Sequence, residues 1–246
     1  MVGVKKLKVC WVSAGVSSFM AGWLAGDVDE WIYIDIDDQH EDSMRFIKDC
    51  ERVVGVKFQI LRSSKYDSVE DCVLTAGTFR NARNFFYPCT NWLKKRVRKE
   101  WERKHEDCEI TYVWGFDANE RKRAERTVES NPQANHEFPL IERGLRKEEV
   151  HGLFEDTFDF KRPLMYDMGY PNNNCIGCVR GGMGYWNRIR KDFPEVFESR
   201  AALERKVGFS ILKECYLDEL DPNRGNMNTE IFPACGIMCY LAKEDR

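Results

Sequence analysis

Short runs rich in β-branched and aromatic residues alternate with amphipathic helical patterns through the first two thirds of the chain. The predicted strands are 8–12, 31–36, 56–61, 109–115 and 136–141, and the predicted helices are 17–25, 42–54, 68–74, 90–104, 119–128 and 146–155. Strands that are separated by helices require right-handed crossovers. The alternation therefore predicts an α/β fold with a mostly parallel sheet that is covered by helices on both faces.

The composition changes near Pro163, where the chain becomes rich in glycine, asparagine and cysteine (MGYPNNNCIGCVRGGMGYW). A helix is predicted over 185–206, and FPACGIMCY follows near the end. We interpret 1–162 as a Rossmann-like, doubly wound nucleotide-binding domain. Residues 163–246 are interpreted as a small cysteine-containing subdomain that packs on it. A chain of 246 residues is long enough to form one large core and a small appended subdomain.

Several classes of protein are excluded by composition. No run of about 18 apolar residues occurs, so no membrane span is expected. The net charge of −3 argues against a protein that binds nucleic acid with its whole surface. The basic start and the apolar stretch KVCWVSAGVSSFMAGWL have the ingredients of a secretory signal, but serines and a glycine interrupt the stretch. We therefore expect a cytoplasmic protein whose close cysteine spacings indicate metal or redox chemistry.

The segment after the first predicted strand has the composition of an anion-binding loop. Small residues let the backbone approach a ligand, and the N–H groups at the start of the next helix attract negative charge. The candidate phosphate-binding residues are Ser13, Gly15, Ser17 and Ser18. A tight turn with a serine N-cap is the alternative.

An acidic segment follows the second predicted strand. A carboxylate at the carboxyl end of this strand suits a ribose or adenine contact, which makes Asp35 a candidate nucleotide-binding residue. Asp37 and Asp38 fit a solvated acidic turn better.

Five cysteines have spacings that suit a metal centre. Cys89 begins the predicted helix 90–104, Cys175 and Cys178 form a Cys-x-x-Cys motif, and the final segment contains Cys235 and Cys239. Two thiolates at this spacing clamp one ion, and a tetrahedral site needs four soft ligands. Two sets stay open. The last four cysteines suit a structural zinc site, whereas the first three suit an iron–sulfur cluster whose fourth position is filled by a terminal cysteine or left as an open iron site. The remaining cysteines suit core packing and are 10, 50, 72, 108 and 215.

Two basic stretches admit more than one interpretation. Lys94 and Lys95 lie in the first turn after Cys89, where they suit a phosphate or the negative charge of a cluster, although a solvated helix face is the alternative. Residues 119–126 (NERKRAER) add a second basic stretch. A nucleic-acid track is the weaker interpretation because the sequence offers no evident aromatic platform for stacking. Residues 180–186 (RGGMGYW) suit either a second anion loop or a loop that leads into a helix.

The anion loop resembles the phosphate loop of the adenine nucleotide α-hydrolase-like superfamily, whose usual form is Ser-Gly-Gly-x-Asp-Ser. Ser13, Gly15 and Ser18 match this form, whereas Ala14 and Ser17 replace glycine and aspartate. The resemblance implies that the replaced aspartate belongs to the ATP and magnesium site of the superfamily's ATP pyrophosphatases. The branch that reduces sulfonucleotides has a relaxed loop.

The fourth predicted strand ends in a second family-like segment. Gly115 to Glu120 is similar to Gly-x-Arg-x-x-Glu, with Asp117 at the arginine position. The resemblance makes Gly115 and Glu120 candidate nucleotide-binding residues.

The cysteines resemble those of adenylyl sulfate reductases, which have a cysteine pair before a basic helix, a later Cys-x-x-Cys and a terminal Glu-Cys-Gly-x-His. Here Pro88 precedes Cys89 where the family has a second cysteine. The resemblance implies that Cys235 is the catalytic nucleophile and that Cys89, Cys175, Cys178 and Cys239 are metal ligands.

The resemblance as a whole identifies the chain as a member of the reductase-like family for adenylyl sulfate (APS) and phosphoadenylyl sulfate (PAPS). It implies an adenine nucleotide ligand (ATP, APS or PAPS), a four-iron, four-sulfur cluster or zinc, and a dithiol reductant such as thioredoxin. Two alternatives stay open: an ATP-dependent sulfurtransferase that thiolates a nucleic acid, and a non-catalytic nucleotide-binding protein.

Overall fold

The computed structural model of the protein describes residues 4–80 and 87–230. A five-stranded sheet, parallel throughout, forms its centre, as the alternating pattern predicts. The strands are β1 (Lys5–Val12), β2 (Glu30–Ile34), β3 (Gln59–Leu61), β4 (Cys108–Val113) and β5 (Asn135–Glu137). Their order is β3-β2-β1-β4-β5, so the chain order reverses between β1 and β4. The predicted Rossmann-like, doubly wound α/β class is confirmed.

Helices connect and flank the strands. They are α1 (Val16–Ala25), α2 (Asp42–Val54), α3 (Val69–Ala76), α4 (Pro88–Thr90), α5 (Arg96–Arg103), α6 (Arg121–Ser130), α7 (Pro139–Glu142), α8 (Lys147–Thr157), α9 (Leu164–Asp167), α10 (Met183–Asp192) and α11 (Pro194–Val207). Within residues 4–80 and 87–230, no helix combines the length and the apolar character that crossing a membrane requires.

The chain divides into two compact units. The first contains the sheet and comprises the described residues of Met1–Asp35, Glu41–Leu61 and Arg98–Asn173. The second comprises those of Ile36–His40, Arg62–Val97 and Asn174–Arg246. The division between residues 162 and 163 stays a prediction.

The core of the first unit forms because its central strands carry apolar side chains on both faces. Val9, Ile32 and Val113 are fully buried, as expected for strands in a covered parallel sheet. A cluster of phenylalanines from α1, α2, α8 and the segment after α8 packs beside the strands, with ring centroids of Phe46 and Phe154 5.9 Å apart. This packing holds α1 in place, and α1 begins at the predicted anion loop.

Three predicted elements are divided, ended or interrupted in the structure by a proline or a π-helical turn. The predicted helix over 185–206 is two helices, because Pro194 cannot donate to the preceding turn and starts α11. The predicted strand over 136–141 ends at Glu137, since Pro139 starts α7. The predicted helix over 90–104 contains a π-helical turn, Asn91–Lys95, between α4 and α5.

Candidate functional site

The first candidate site lies in the first unit, at the carboxyl ends of β1 and β4. The chain order of the sheet reverses between these strands, and ligands of open α/β sheets bind in the crevice at such a reversal. Ser13 to Gly15 connect β1 with α1, and Gly115 follows β4. The structure thus brings together two segments that are about 100 residues apart in the chain and that the sequence assigned to one ligand.

Gly115 determines how closely these segments approach each other. A Cβ atom on Gly115 would lie 2.5 Å from the Cα atom of Ser18 and 2.7 Å from its backbone nitrogen. Real Cβ atoms do not approach backbone so closely. Glycine is therefore required at this position for the end of β4 to lie against the first turn of α1.

The serine hydroxyls of the loop have different surroundings. Ser18 is buried, and its Oγ accepts the N–H of Ser13 at 3.0 Å and donates to the carbonyl of Gly15 at 2.9 Å. Ser13 is exposed and Ser17 is partly exposed. Ser18 therefore shapes the loop, whereas Ser13 and Ser17 lie at its surface, with the Ser13 hydroxyl 3.2 Å from that of Ser18.

The start of α1 has the electrostatics of an anion site. Gly15 is its N-cap, and this fully described helix has neither an acidic residue in its first turn nor a side-chain cap. The positive end of the helix dipole is therefore not compensated by a carboxylate from the helix itself. Ala14 has a backbone φ of 54°, a left-handed conformation at a position where the superfamily loop has glycine.

Acidic residues surround the ends of β2 and β4. Asp35 is partly exposed directly after β2, and its N–H donates to the carbonyl of Leu61 at 2.9 Å. Glu120 accepts from the N–H of Asp117 at 3.2 Å and pairs with Arg123 at 2.5 Å. Glu120 thus stabilises the turn before α6, and its role in nucleotide binding stays a prediction.

Asp117 is a buried carboxylate at the position where the predicted family resemblance has an arginine. It is 8% exposed and accepts the N–H of Asn119 at 2.8 Å. Burial is the main cause that raises the pKa of Asp117. The nearby ammonium of Lys147 acts to lower the pKa of Asp117. Burial also lowers the pKa of Lys147 itself. The end of β4 therefore carries a carboxylate and an ammonium in place of a lone arginine.

The second candidate site is a cavity in the second unit. Three of the predicted metal ligands line it together, although Cys89 lies 86 residues before Cys175. The described lining residues are Ile36, Val69, Cys89, Thr90, Leu93, Lys94, Cys175, Cys178 and Val179. The cavity is thus lined by three cysteines, a threonine and a lysine together with apolar residues.

The Cys-x-x-Cys loop is held by contacts on several sides. The hydroxyl of Tyr185 accepts the N–H of Cys178 at 2.9 Å and donates to the carbonyl of Cys175 at 3.3 Å. The guanidinium of Arg180 lies 5.3 Å from the ring centroid of Tyr87, two residues before Cys89. These contacts fix the two cysteine segments around one cavity.

The two predicted anion-binding lysines have different positions. Lys94 lines the cavity, whereas Lys95 is 7% exposed. Both lie in the π-helical turn Asn91–Lys95, which changes the direction of its side chains relative to a regular α-helix. Such turns are frequent at functional sites. Lys94 is therefore the lysine whose side chain suits an anionic group in the cavity.

Asp38 is not part of a solvated acidic turn, and this prediction was wrong. Its carboxylate pairs with Arg200 and accepts the N–H of Val69 at 2.6 Å, and its carbonyl accepts the N–H of Ile176 at 2.7 Å. The side chains of Asp38 and Arg200 are 9% and 6% exposed. Asp38 therefore joins α3, α11 and the Cys-x-x-Cys loop. Asp37 is exposed as predicted.

The glycine-rich segment 180–186 leads into α10. At the start of this helix, the position that an external anion would take is occupied by a carboxylate of the same chain. The carboxylate of Glu230 accepts the N–H groups of Gly184 at 2.5 Å and Tyr185 at 3.1 Å. A Cβ atom on Gly184 would lie 2.3 Å from the backbone nitrogen of Met227. Glycine thus lets the segment before Glu230 pack on the start of α10.

The remaining predicted ligands are outside the described residues. Cys235, the predicted nucleophile, and Cys239, a predicted ligand, both belong to 231–246. Over residues 4–80 and 87–230, no group of three or more His, Cys, Asp or Glu side chains has the arrangement of a metal site. The complete predicted ligand set therefore stays a prediction.

The other cysteines divide by burial. Cys10, Cys50 and Cys72 are fully buried, and burial raises the pKa values of Cys10 and Cys72 to about 12. These three pack in the core as predicted. Cys108 and Cys215 are only partly buried.

Sequence reasoning did not identify Tyr166, Asn173 or Arg200. Asn173 contacts the anion loop, and Arg200 contacts the segment after β2, in each case more than 150 positions away in the chain. The asparagine run 172–174 just before Cys175 was a visible signal, because asparagine amides commonly tie loops together. Tyr166 had no comparable signal.

Comparisons with known proteins give one similarity and no family. No protein-family profile and no solved structure matches the chain. The chain is similar to the uncharacterized protein MJ0066 of Methanocaldococcus jannaschii, with 24% identity over 184 residues. The match covers 71% of this chain and 35% of the relative, so the chain spans about a third of that protein's length.

Proposed function

We propose that the chain is a sulfonucleotide reductase-like enzyme that binds an adenine nucleotide and uses cysteine sulfur chemistry. The observation that carries the proposal is the meeting of Cys89, Cys175 and Cys178 at one cavity. These residues are the ones that the resemblance to adenylyl sulfate reductases selects. Their meeting supports a shared role more than three separate packing roles.

The β1–α1 loop is the proposed nucleotide site. The start of α1, which has no acidic residue in its first turn, and the exposed Ser13 and partly exposed Ser17 suit the phosphate of APS or PAPS. Asp35 lies at the carboxyl end of β2, where a carboxylate suits the ribose or the adenine. Ser17 has no carboxylate with which to hold magnesium, which favours a sulfonucleotide over ATP cleavage.

The cavity suits a soft metal centre. Three cysteines but neither a carboxylate nor an imidazole occur among the described lining residues, and thiolates select iron–sulfur clusters or zinc. Cys89, Cys175 and Cys178 would hold the group, with Cys239 as the predicted fourth ligand. A cluster would supply a local charge and, if iron-based, redox capacity. Lys94 would place a positive charge beside it.

The proposed reaction begins at Cys235. Its thiolate attacks the sulfur of the sulfonucleotide, an S–S bond forms, and the S–O bond to the phosphate breaks. The adenine nucleotide leaves with the electron pair of that bond. A dithiol reductant such as thioredoxin then attacks the cysteine sulfur, which releases sulfite and leaves the reductant as a disulfide. A reducing compartment is required for this chemistry, and we therefore place the protein in the cytoplasm.

The metal assignment is tested by purifying the protein without oxygen. We expect a brown chromophore with stoichiometric iron, lost in Cys175→Ser and kept in Cys108→Ser. Cys108 is the matched control because it is partly exposed and does not line the cavity. A colourless protein with stoichiometric zinc would overturn the cluster, and equal metal content in the two variants would overturn the cavity assignment.

The reaction is tested with APS, PAPS and ATP in the presence of thioredoxin. Sulfite formation from APS or PAPS that is lost in Cys235→Ser supports the reductase. Pyrophosphate release from ATP that depends on an RNA or DNA acceptor overturns it in favour of a sulfurtransferase. Nucleotide binding without any product overturns it in favour of a non-catalytic protein.

A further inference from the structure

Ala14 is an alanine that adopts a left-handed backbone conformation in the β1–α1 loop. Its φ is 54°, and its side chain is fully buried. The conformation costs an L-amino acid with a Cβ atom about 1–2 kcal/mol. It persists only where surrounding contacts fix it.

Asn173 supplies such a contact from a distant part of the chain. Its side-chain amide donates to the carbonyl of Ala14 at 2.7 Å and to the hydroxyl of Ser43 at 3.0 Å. Asn173 is 7% exposed, Ser43 is 2% exposed, and all three residues belong to the first unit. Both N–H groups of the amide are thus used in a dry environment, where a lost hydrogen bond is costly.

Tyr166 makes a second connection between the same two segments. Burial raises the pKa of the Tyr166 hydroxyl to about 12, and the nearby backbone N–H groups of Val16 and Asn173 act against this rise. A Cβ atom on Gly15 would lie 3.0 Å from the hydroxyl oxygen of Tyr166. The loop is therefore held through the carbonyl of Ala14, and Tyr166 packs against the neighbouring Gly15.

We propose that Asn173 is a positioning residue that holds Ala14 in the left-handed conformation and so gives the β1–α1 loop the shape that binds an anion. Anion binding by the loop rests on the proposed function, but the effect of Asn173 on the conformation of the loop does not. Glycine at position 14 would adopt the conformation without support. The conformation of the loop thus depends on Asn173 because position 14 is an alanine.

This link makes a compensating substitution possible. Asn173→Asp preserves the volume of the side chain but replaces its N–H donors with an oxygen that faces the carbonyl of Ala14. Asn172→Asp is the matched control, because the Oδ1 atom of Asn172 accepts from the Lys147 ammonium at 2.7 Å and an aspartate keeps that acceptor. Ala14→Gly in the N173D background removes the strain that Asn173 opposes.

Hydrogen exchange in the ligand-free protein tests the proposal without any assumption about substrate. We expect amide exchange over residues 13–19 to be about tenfold faster in N173D than in wild type. Exchange should be unchanged in N172D and largely restored in A14G/N173D. Equal exchange in N173D and N172D would overturn the proposal, and so would a double variant that exchanges as fast as N173D. If N173D does not fold, N173A gives the same comparison without a new charge.

Binding of AMP separates this inference from the proposed function. If wild type binds AMP, we expect N173D to bind it about tenfold more weakly and A14G/N173D to recover most of the affinity. If wild type does not bind AMP, the nucleotide site of the proposed function is overturned. The exchange measurements then still decide whether Asn173 positions the loop.

Discussion

Substitution of Gly115 by alanine should damage the fold and the anion loop together. The new Cβ atom would lie 2.5 Å from the Cα atom of Ser18, whereas carbon atoms pack at about 3.5–4.0 Å. The end of β4 and the start of α1 would have to separate by about 1 Å. Both are backbone segments, so no flexible side chain can absorb the shift. Overpacking of this kind costs about 1–3 kcal/mol.

Gly152→Ala is the matched control for this change. Gly152 lies inside α8, and a Cβ atom there would meet no atom within 4 Å. Alanine in an exposed helix is more stable than glycine by about 0.5–1 kcal/mol. The same chemical substitution is therefore expected to act in opposite directions at the two positions.

Thermal unfolding gives the size of both effects. About 1 kcal/mol corresponds to about 2–4 °C in a chain of this length. We expect Gly115→Ala to lower the melting temperature by about 2–12 °C and Gly152→Ala to raise it by about 1–4 °C. AMP affinity should fall only in Gly115→Ala. A Gly115→Ala protein that melts and binds like wild type would refute the assigned contact between β4 and α1.

Two further predictions concern buried charge. Asp38→Asn leaves the Arg200 guanidinium buried without its carboxylate, and we expect a loss of about 3–5 kcal/mol in the free energy of unfolding. Asp37→Asn, whose ion pair is exposed, should cost less than about 1 kcal/mol in urea unfolding, and equal losses would contradict the prediction. Burial lowers the pKa of His151 to about 4. Between about pH 6.5 and pH 4, this histidine therefore binds a proton only in the unfolded chain. His151 should thus lower the free energy of unfolding as the pH falls through this range. When the pH is lowered from 7.5 to 5, the urea midpoint of wild type should therefore fall more than that of His151→Gln. A difference between the two midpoints that does not change with pH would contradict this prediction.

The fold could be predicted from the sequence because its signals are local. The helix predicted over 42–54 has the bounds of α2, since its apolar period and the following Gly55 both appear in the sequence. The parallel order of the strands follows from the alternation with helices. Gly115 was identified through the resemblance, and the structure adds the contact with Ser18 that requires a glycine.

The parts that could not be predicted depend on distant polar partners. Asp38 has the sequence surroundings of an exposed turn, and only the fold brings Arg200 to it. The left-handed conformation of Ala14 is equally invisible in the sequence, because alanine rarely adopts it and Asn173 lies far away. Pro194 was visible as a helix breaker, and the single predicted helix over 185–206 gave it too little weight.

The bonds between Glu230 and the start of α10 limit where Cys235 can act. Cys235 lies five residues after Glu230, so the covalent chain keeps it within about 18 Å of this anchor. The proposed attack of Cys235 therefore requires that the sulfur of a bound sulfonucleotide lies within that distance of Glu230. A nucleotide bound farther away would be out of reach of this thiol, whatever its affinity.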